Sequence, residues 1–554
     1  MRWTHREQPS AIVAELAGEL HLSTAAATLL CSLGFDDCEA ARRFMNPMLR
    51  ELDDPFAITN MGAAVARIRA AMFRNESIAV FGDYDVDGVT STVFLLGILD
   101  SFGVHPRYLV PRRMEEGYGL SRQALERMLS EGRPDLLIAV DCGTNSVEEA
   151  AWLRSQGVDL VILDHHTSRE QGNADKDAIL VNPHVFDGED KPWSQLCTVG
   201  LVFKFAHALI KQMREEGDEA AMRIDLKEYL DLVAMGTVAD LVPLLGENRI
   251  LARKGLERMS NPSRTGLEAL YEVAGMQIGQ AVTPFDVSFR LSPRINASGR
   301  LAEASTAVDM LMGRDWTRCL EEARTLDSMN SERQEIERGI AAEAIARVDE
   351  LYADAPAFVL HSADWHQGVV GIVASRIAHH YNKPAVVLGT EESGLYKGSG
   401  RSVAGVDLVA ALGACDRHLE AWGGHPMAVG VSLKADRLDA FRELFCKAVE
   451  AQGASLPTER ELEIACWLSP SEINDDLFRE LDDMGPFGQG NPQPLFGVRG
   501  IRLTHPATAF GGGHCRFFAD LGRGQSISCV AWRMGDCMPP PSRKLDLAAR
   551  LTWN

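Results

Sequence analysis

The 554-residue sequence holds no apolar run near the roughly 20 residues needed to cross a bilayer. Its opening segment, MRWTHREQPS, has no apolar stretch and no small-residue cleavage pattern. An exported or membrane-spanning protein is therefore not expected, and the expected location is the cytoplasm. No CxxC pair occurs among the 11 cysteines, and their spacing follows no zinc-finger pattern. In a chain of this length they read as reduced thiols, which excludes a disulfide framework. Basic residues are scarce beside acidic ones, 56 against 78, for a net charge of -22. That sign argues against a nucleic-acid partner, because phosphate binding needs Lys and Arg. Bulk charge does not decide the matter: binding depends on where cations converge, and a metal site needs carboxylates of its own. No internal repeat and no low-complexity tract is present.

What is present is the composition of an ordinary globular protein, 46% hydrophobic and 24% charged. Cores stop growing at about 250–300 residues, so two to four domains are expected. Residues 1–55 read as an Ala-rich helical lead-in. From Ser77, short apolar runs alternate with helical stretches: SIAVFG, a helix from about Val89 to Phe102, His105–Val110, the helix SRQALERMLS, DLLIAV, a helix over Ser146–Gln156, VDLVIL and Ile179–Val181. That alternation predicts βαβ units and a parallel sheet with strands buried on both faces. Residues 198–270 read as mainly helical, with DLVAMGTVA ending at Asp240 before Pro243. A charged, proline-free run within 309–352 predicts a long exposed helix linking two domains. A second α/β pattern follows: AFVLH, a helix over Val369–Tyr381, PAVVL, and GSGRS read as a tight turn. After about Pro457 short alternating segments such as CRFFADL and SISCVAW predict a small all-β domain. Another strand is expected where the sequence ends at LTWN, so the chain is truncated there or the domain closes differently.

Four acidic features share one position, the end of an apolar segment. GDYDVDG places Asp83, Asp85 and Asp87 directly after a strand, on the sheet edge where α/β folds bind ligands. Unscreened, these carboxylates repel, and divalent cations remove that cost. The plainer readings are a solvated turn or a calcium loop, but position 12 of such a loop is Phe94, not Glu. Asp141 follows LLIAV, where a helix cap is an equal reading. Asp164, His165 and His166 follow VDLVIL, and Asp240 is the fourth. Oxygen and imidazole donors without thiolates suit Mg²⁺ or Mn²⁺ better than structural zinc. Asp85, Asp87, Asp141 and Asp240 carry the charge that two divalent cations neutralise. Two such ions about 4 Å apart are the usual arrangement for phosphodiester hydrolysis.

GDYDVDG, VDCG, LDHH and GTVADLVP together resemble the motif series of the DHH phosphoesterases, and among them the bacterial single-strand-specific exonucleases. VNPH, LSPRINASGR, WHQGVVGIVASRI, KGSGRS and WGGHPMAVG continue the match in order over roughly residues 75–500. The resemblance implies metal ligands at Asp85, Asp87, Asp141, His165 and Asp240. It places His166 beside the metals or the scissile phosphate. Asp83 is expected to support the site and Asp164 to orient a neighbouring histidine. Residue 142 is Cys where relatives carry Asn, so no role rests on it. The second α/β unit resembles a DHH-associated domain that grips nucleic acid, with Ser399, Arg401 and His425 as phosphate and strand contacts. Arg300 is a phosphate candidate near the metals and Arg112 a candidate for the 5′ end, while Arg376 reads as structural or a general backbone contact. The C-terminal segment resembles an oligonucleotide-binding (OB) fold, with Phe487, Phe496, Phe517 and Phe518 available for stacking or core.

The expected organisation is a helical lead-in (1–55), a DHH catalytic domain (56–308), a connecting helix (309–352), a DHH-associated domain (353–456) and an OB-like domain (457–554). The implied activity is 5′→3′ degradation of single-stranded DNA to 5′-mononucleotides, in repair and recombination, with two Mn²⁺ or Mg²⁺ ions. A single-strand-binding protein and a helicase are the implied partners, and a monomer is expected. The alternatives are a phosphodiesterase for short oligonucleotides or cyclic dinucleotides, and a non-catalytic DNA-binding scaffold. The long linker and β domain argue against the first, and the retained acids against the second.

Overall fold

The computed structural model describes residues 2–553 apart from 113–115, 118, 169–171, 302–304, 392, 454–460, 523 and 541–542. The first sheet has the spatial order Arg107–Leu109, Ile78–Gly82, Leu136–Val140, Asp159–Leu163, Ile179–Val181, with every pair parallel. Ile78–Gly82 and Leu136–Val140 are buried at every residue, as unbroken apolar runs require of strands covered on both faces. Within this sheet the first strand in chain order, Ile78–Gly82, lies between the second and the third. Connections therefore leave it in opposite directions, which opens a crevice at the C-terminal edge. Asp83 and Asp141 follow the two strands that border this switch point.

The helix after Ile78–Gly82 begins sooner than the sequence suggests, spanning Val86–Ser101. Asp85 caps it, accepting the Gly88 amide at 3.1 Å. Gly88 is needed for the turn: a Cβ there would lie 2.4 Å from the Asp83 carbonyl oxygen. Val86 to Leu96 are all buried. A helix buried on all sides lacks an amphipathic stripe, and this is why its start was hard to read. The consequence is that Asp87 sits in a rigid first turn within the core and not on a solvated loop.

The connecting helix is a single element, Trp316–Leu351, but it is not an exposed rod. Cys319, Ala323 and Leu326 belong to the core of the first unit, and Ile340, Ala341, Ala344 and Val348 to that of the second. The small and apolar residues hidden among its charges make both contacts. Between them, buried Arg333 donates to Asn330 (2.6 Å) and Glu337 (3.3 Å), and Arg376 pairs with Glu337 at 2.8 Å.

The second sheet runs Ala421–His425, Ala428–Leu433, Tyr396–Arg401, Ala385–Thr390, Phe358–His361, antiparallel except for its last pair. GSGRS is not a turn. Gly398 to Arg401 lie in the middle strand, paired on both sides. The glycines serve close packing: a Cβ on Gly398 would come 1.9 Å from the Val387 oxygen. Their backbone belongs to the ladder on both sides, so a phosphate there can be met only by the side chains of Ser399 and Arg401.

The C-terminal segment forms two three-stranded sheets, with the Asp475–Met484 helix inserted between the strands Cys466–Leu468 and Phe496–Ile501 of one of them. The N-terminal lead-in does not stand alone. Arg2–His5 pairs in parallel with Glu461–Ile464, and Val13, Leu16, Leu30 and Phe44 share a core with Leu468, Leu477, Phe496 and Val498. Among the described residues no helix is long and apolar enough to cross a membrane, and all 11 cysteines are free thiols.

Candidate metal centre

The chain ends of three strands and two helices meet at the crevice. Three groups of donor atoms lie there, each within 4.8 Å: Asp83, Asp85 and Asp141; Asp87, His165 and Asp240; Asp141, His165 and His166. Asp83, Asp87 and Asp141 are buried. His165 Nε2 lies 3.5 Å from Asp141 Oδ1, 3.5 Å from Asp240 Oδ2 and 3.9 Å from Asp87 Oδ2. All eight residues singled out from GDYDVDG, VDCG, LDHH and GTVAD therefore converge except Asp164, which lies just beneath. Asp83, expected only as support, is a full member of one donor group.

Each carboxylate has a fixed frame. Asp87 accepts the amides of Thr198 (2.7 Å) and Val199 (2.8 Å), at the start of the Thr198–Glu215 helix. A helix N-terminus favours an anion there. Asp141 sits at φ +63°, a conformation Asp tolerates, and accepts the Thr198 hydroxyl at 2.9 Å. Buried Asp164 accepts the amides of His165 (2.8 Å), His166 (3.2 Å) and Thr144 (3.0 Å), and the His166 ring at 2.7 Å. Asn182 donates to the Thr144 hydroxyl and the His166 carbonyl.

The electrostatics separate these groups. Burial, reinforced by neighbouring carboxylates, pushes Asp87 up to about 7 and Asp240 to about 8, and lifts Asp141 well above the carboxylate range. Burial and the charge of His166 push His165 down to about 3, leaving a neutral ring. Burial would lower His166 as well, but the Asp164 carboxylate outweighs it and raises His166 to about 9. Burial would raise Asp164, and the histidines and the Thr144 amide instead hold it well below its usual range. Carboxylates that repel one another beside a neutral imidazole form a donor set that fits hard divalent cations. The nearby thiols of Cys142 and Cys197 are pushed up by burial and stay protonated. They add no soft ligand.

Sequence reading missed several members. The ring of His184, from VNPH at the end of the last strand, lies 6.1 Å from that of His165. Its place after a strand was the available signal. Nothing local marks Thr198, Val199 or Asn296, whose contacts to Asp87, Asp141 and the Val86 amide span more than fifty residues.

Of the predicted strand contacts, Ser399, Arg401 and His425 lie on the second unit, Arg300 at the seam and Arg112 on the first unit. Arg401 faces Ala428, which faces His425, and Ser399 lies two residues along the same strand. Directly paired residues share a face, so all three project from one side. A Cβ on Gly371 would lie 3.2 Å from Ser399 Oγ and 3.3 Å from Arg401 Nη2, so this glycine leaves room for both. Arg300 Nη1 donates to the Gly368 carbonyl at 2.7 Å, bridging the two units. Arg112 lies in the loop after Arg107–Leu109, its amide bonded to Glu116. Phe496 and Phe517 are core, and Phe518 is 41% exposed. The more exposed aromatic group is Trp532, beside Phe510 and His514.

Three family descriptions match in chain order: "DHH family, N-terminal domain" over 77–237, "DHHA1 domain" over 354–451 and "RecJ OB domain" over 464–554. The single-stranded-DNA-specific exonuclease RecJ of Dickeya dadantii is 36% identical over 526 residues, covering 91% of this chain and 89% of that one. The chain belongs to the RecJ family. RecJ of Bacillus subtilis is 37% identical over 498 residues, 89% of this chain, but the chain spans only 61% of that relative. The structure of Thermus thermophilus RecJ in complex with Mn²⁺ superposes with a TM-score of 0.82 at 29% identity, covering 100% of this chain and 77% of that one. An exonuclease RecJ bound to manganese, at 31% identity, gives 0.61 over 72% of this chain and 98% of that one.

Proposed function

We propose that the chain is a single-strand-specific 5′→3′ DNA exonuclease that releases 5′-mononucleotides, in repair and recombination, from a site holding two Mn²⁺ or Mg²⁺ ions. The observation that carries this reading is the Ser292–Leu301 helix. Asn296 accepts the Val86 amide, next to Asp85, and Arg300 donates to Gly368 in the second unit. Residues four apart share a helix face, so one rigid face ties the acidic site to the unit bearing Ser399, Arg401 and His425.

In this reading Asp85, Asp87, Asp141, His165 and Asp240 hold the cations, with Asp83 beside them. The bound cations supply an activated water and charge stabilisation for phosphodiester hydrolysis. Asp164 accepts from His166 Nδ1 and orients the ring, so Nε2 is the atom that meets the scissile phosphate. The Thr198 and Val199 amides fix Asp87, and the buried helix behind it prevents the carboxylates from drifting apart. Arg401 and Ser399 hold a phosphate by side-chain donors, Arg300 guards the seam and Arg112 the 5′ end. Work in the cytoplasm as a monomer, with a single-strand-binding protein and a helicase, belongs to the same proposal.

Incubating a 5′-labelled single strand, alone and annealed to its complement, with Mn²⁺ tests the reading. Labelled mononucleotide is expected from the single strand only. Binding without release would favour a scaffold, and cleavage confined to very short oligomers a small-substrate enzyme. Arg401→Ala is expected to weaken strand binding and to reduce the slope of log affinity against log salt by about 0.7, the share of one phosphate contact on a single strand. Binding measured over a salt series checks this, and an unchanged slope removes Arg401 from the strand path.

A further inference from the structure

Asp240 closes the Leu230–Ala239 helix, its amide bonded to Gly236 at 2.9 Å. The next residue, Leu241, has φ +59° and is 68% exposed. Left-handed backbone is costly for a residue with a Cβ, and helices usually place Gly at this point. Burial of the Leu241 side chain does not offset that cost. The loop after Asp240 is therefore held from outside, and two anchors hold it.

One is internal: Asn248 Nδ2 donates to the Pro243 carbonyl at 3.1 Å. The other comes from the C-terminal unit. The Leu244 amide donates to the Gln489 carbonyl at 2.8 Å. Gly490, at φ +72°, lies against Pro243, where a Cβ would be 3.1 Å from Pro243 Cβ. A Cβ on Gly488 would be 2.7 Å from Leu244 Cδ1. The C-terminal loop is itself rigid. Gly488 and Asn491 exchange backbone hydrogen bonds, and the fully buried Asn491 side chain donates to Met484 and Pro486. Arg249 and Arg253, on the Gly246–Met259 helix, donate to the Asp483 carbonyl and fasten the loop's base to the catalytic unit.

We infer that the Phe487–Asn491 loop of the C-terminal unit is a positioning element for Asp240, so that the β unit completes the cation site as well as accompanying it. This rests on the reading of Asp240 as a cation ligand. Gln489 and Gly490 touch neither cation nor substrate in this account; they act through the Leu241–Leu245 loop.

Calorimetric titration of the full chain with Mn²⁺ tests the inference without relying on cleavage. Gly490→Ala is expected to loosen one of two Mn²⁺ ions by about tenfold, as for a lost supporting contact, and to leave the other unchanged. Adding Leu241→Gly, which removes the left-handed cost, is expected to restore most of that loss. A purely structural lesion would lower thermal stability without singling out one ion and without this rescue. Wild-type affinity for both ions in a folded Gly490→Ala protein, or no rescue by Leu241→Gly, overturns the inference. Should Gly490→Ala fail to fold, Gly488→Ala carries the same test, since its methyl meets only the movable end of Leu244. Asp240→Ala separates the two levels. If it leaves both ions at full affinity, the ligand assignment fails and the inference with it. If it loosens one ion while Gly490→Ala and Gly488→Ala loosen none, only the positioning role fails.

Discussion

Asp141→Ala is expected to reduce cleavage of single-stranded DNA by at least about a thousandfold, some 4 kcal/mol of barrier, while strand binding stays close to wild type. Asp141 belongs to two of the three donor groups, so it is the one carboxylate positioned to serve both cations. The strand contacts assigned to Ser399, Arg401 and His425 lie on a different sheet and are untouched by the change. Loss of fold is not the expected cause. The buried carboxyl is lifted well above its ordinary range by burial and by Asp87 and Asp85, so in metal-free protein it opposes the fold. Removing that charge relieves this cost, so Asp141→Asn should melt at or above wild type without metal, while Ala loses about 1–2 kcal/mol of the gain to the left-handed backbone. Asp141→Asn tolerates φ +63° as well as Asp does, and is expected to lose activity to the same extent. Gel-based cleavage, binding without divalent ions and thermal melts of the metal-free chain give the three readouts. Activity near wild type would remove Asp141 from the cation site.

Asp164→Asn is expected to lower activity by about a hundredfold and to weaken Mn²⁺ binding by about 10- to 100-fold, the usual cost of losing a group that orients a ligand. Asp164 belongs to none of the three donor groups but holds the ring of one member, His166. It accepts three backbone amides and one imidazole, and so sets where both histidines stand. An amide side chain cannot accept on both of its ends, so at least one buried N–H is left without its acceptor. The ring of His166 also loses the carboxylate that raises it to about 9. In metal-free wild type this pair favours the fold while His166 gains its proton more readily than in the unfolded chain. That contribution is complete below the ordinary histidine value and fades as pH rises through about 9. The Asn variant should lack that alkaline fade. A stability-against-pH series with unchanged shape would show that Asp164 does not hold His166.

The parts of this site that lie in short, consecutive stretches could be read from the chain. Asp85, Asp87, Asp141, His165 and Asp240 each follow an apolar segment; parallel strands must bring the first four to one edge, and Asp240 reaches it from the end of a helix. What escaped reading depends on contacts between distant segments. The sequence around Thr198 looks like any apolar helix start, yet its amide and hydroxyl hold Asp87 and Asp141. GSGRS has turn composition, but its glycines are selected by the neighbouring strands, which approach too closely for a Cβ. The connecting helix looks solvated because its buried positions are small residues and an internal Asn330–Arg333–Glu337 cluster. Nothing in MRWTH announces that it will pair with Glu461–Ile464 at the far end of the chain.

As proposed above, Asp83, Asp85, Asp87, Asp141, His165, His166 and Asp240, with Asp164 beneath them, form a site for two cations with Asp141 between them. Crystals grown with Mn²⁺ and measured for anomalous scattering test it most directly. Two peaks about 4 Å apart are expected, one bounded by Asp87, His165 and Asp240 and the other by Asp83, Asp85 and Asp141, with both within reach of Asp141. A single peak, or two peaks neither of which reaches Asp141, would contradict it.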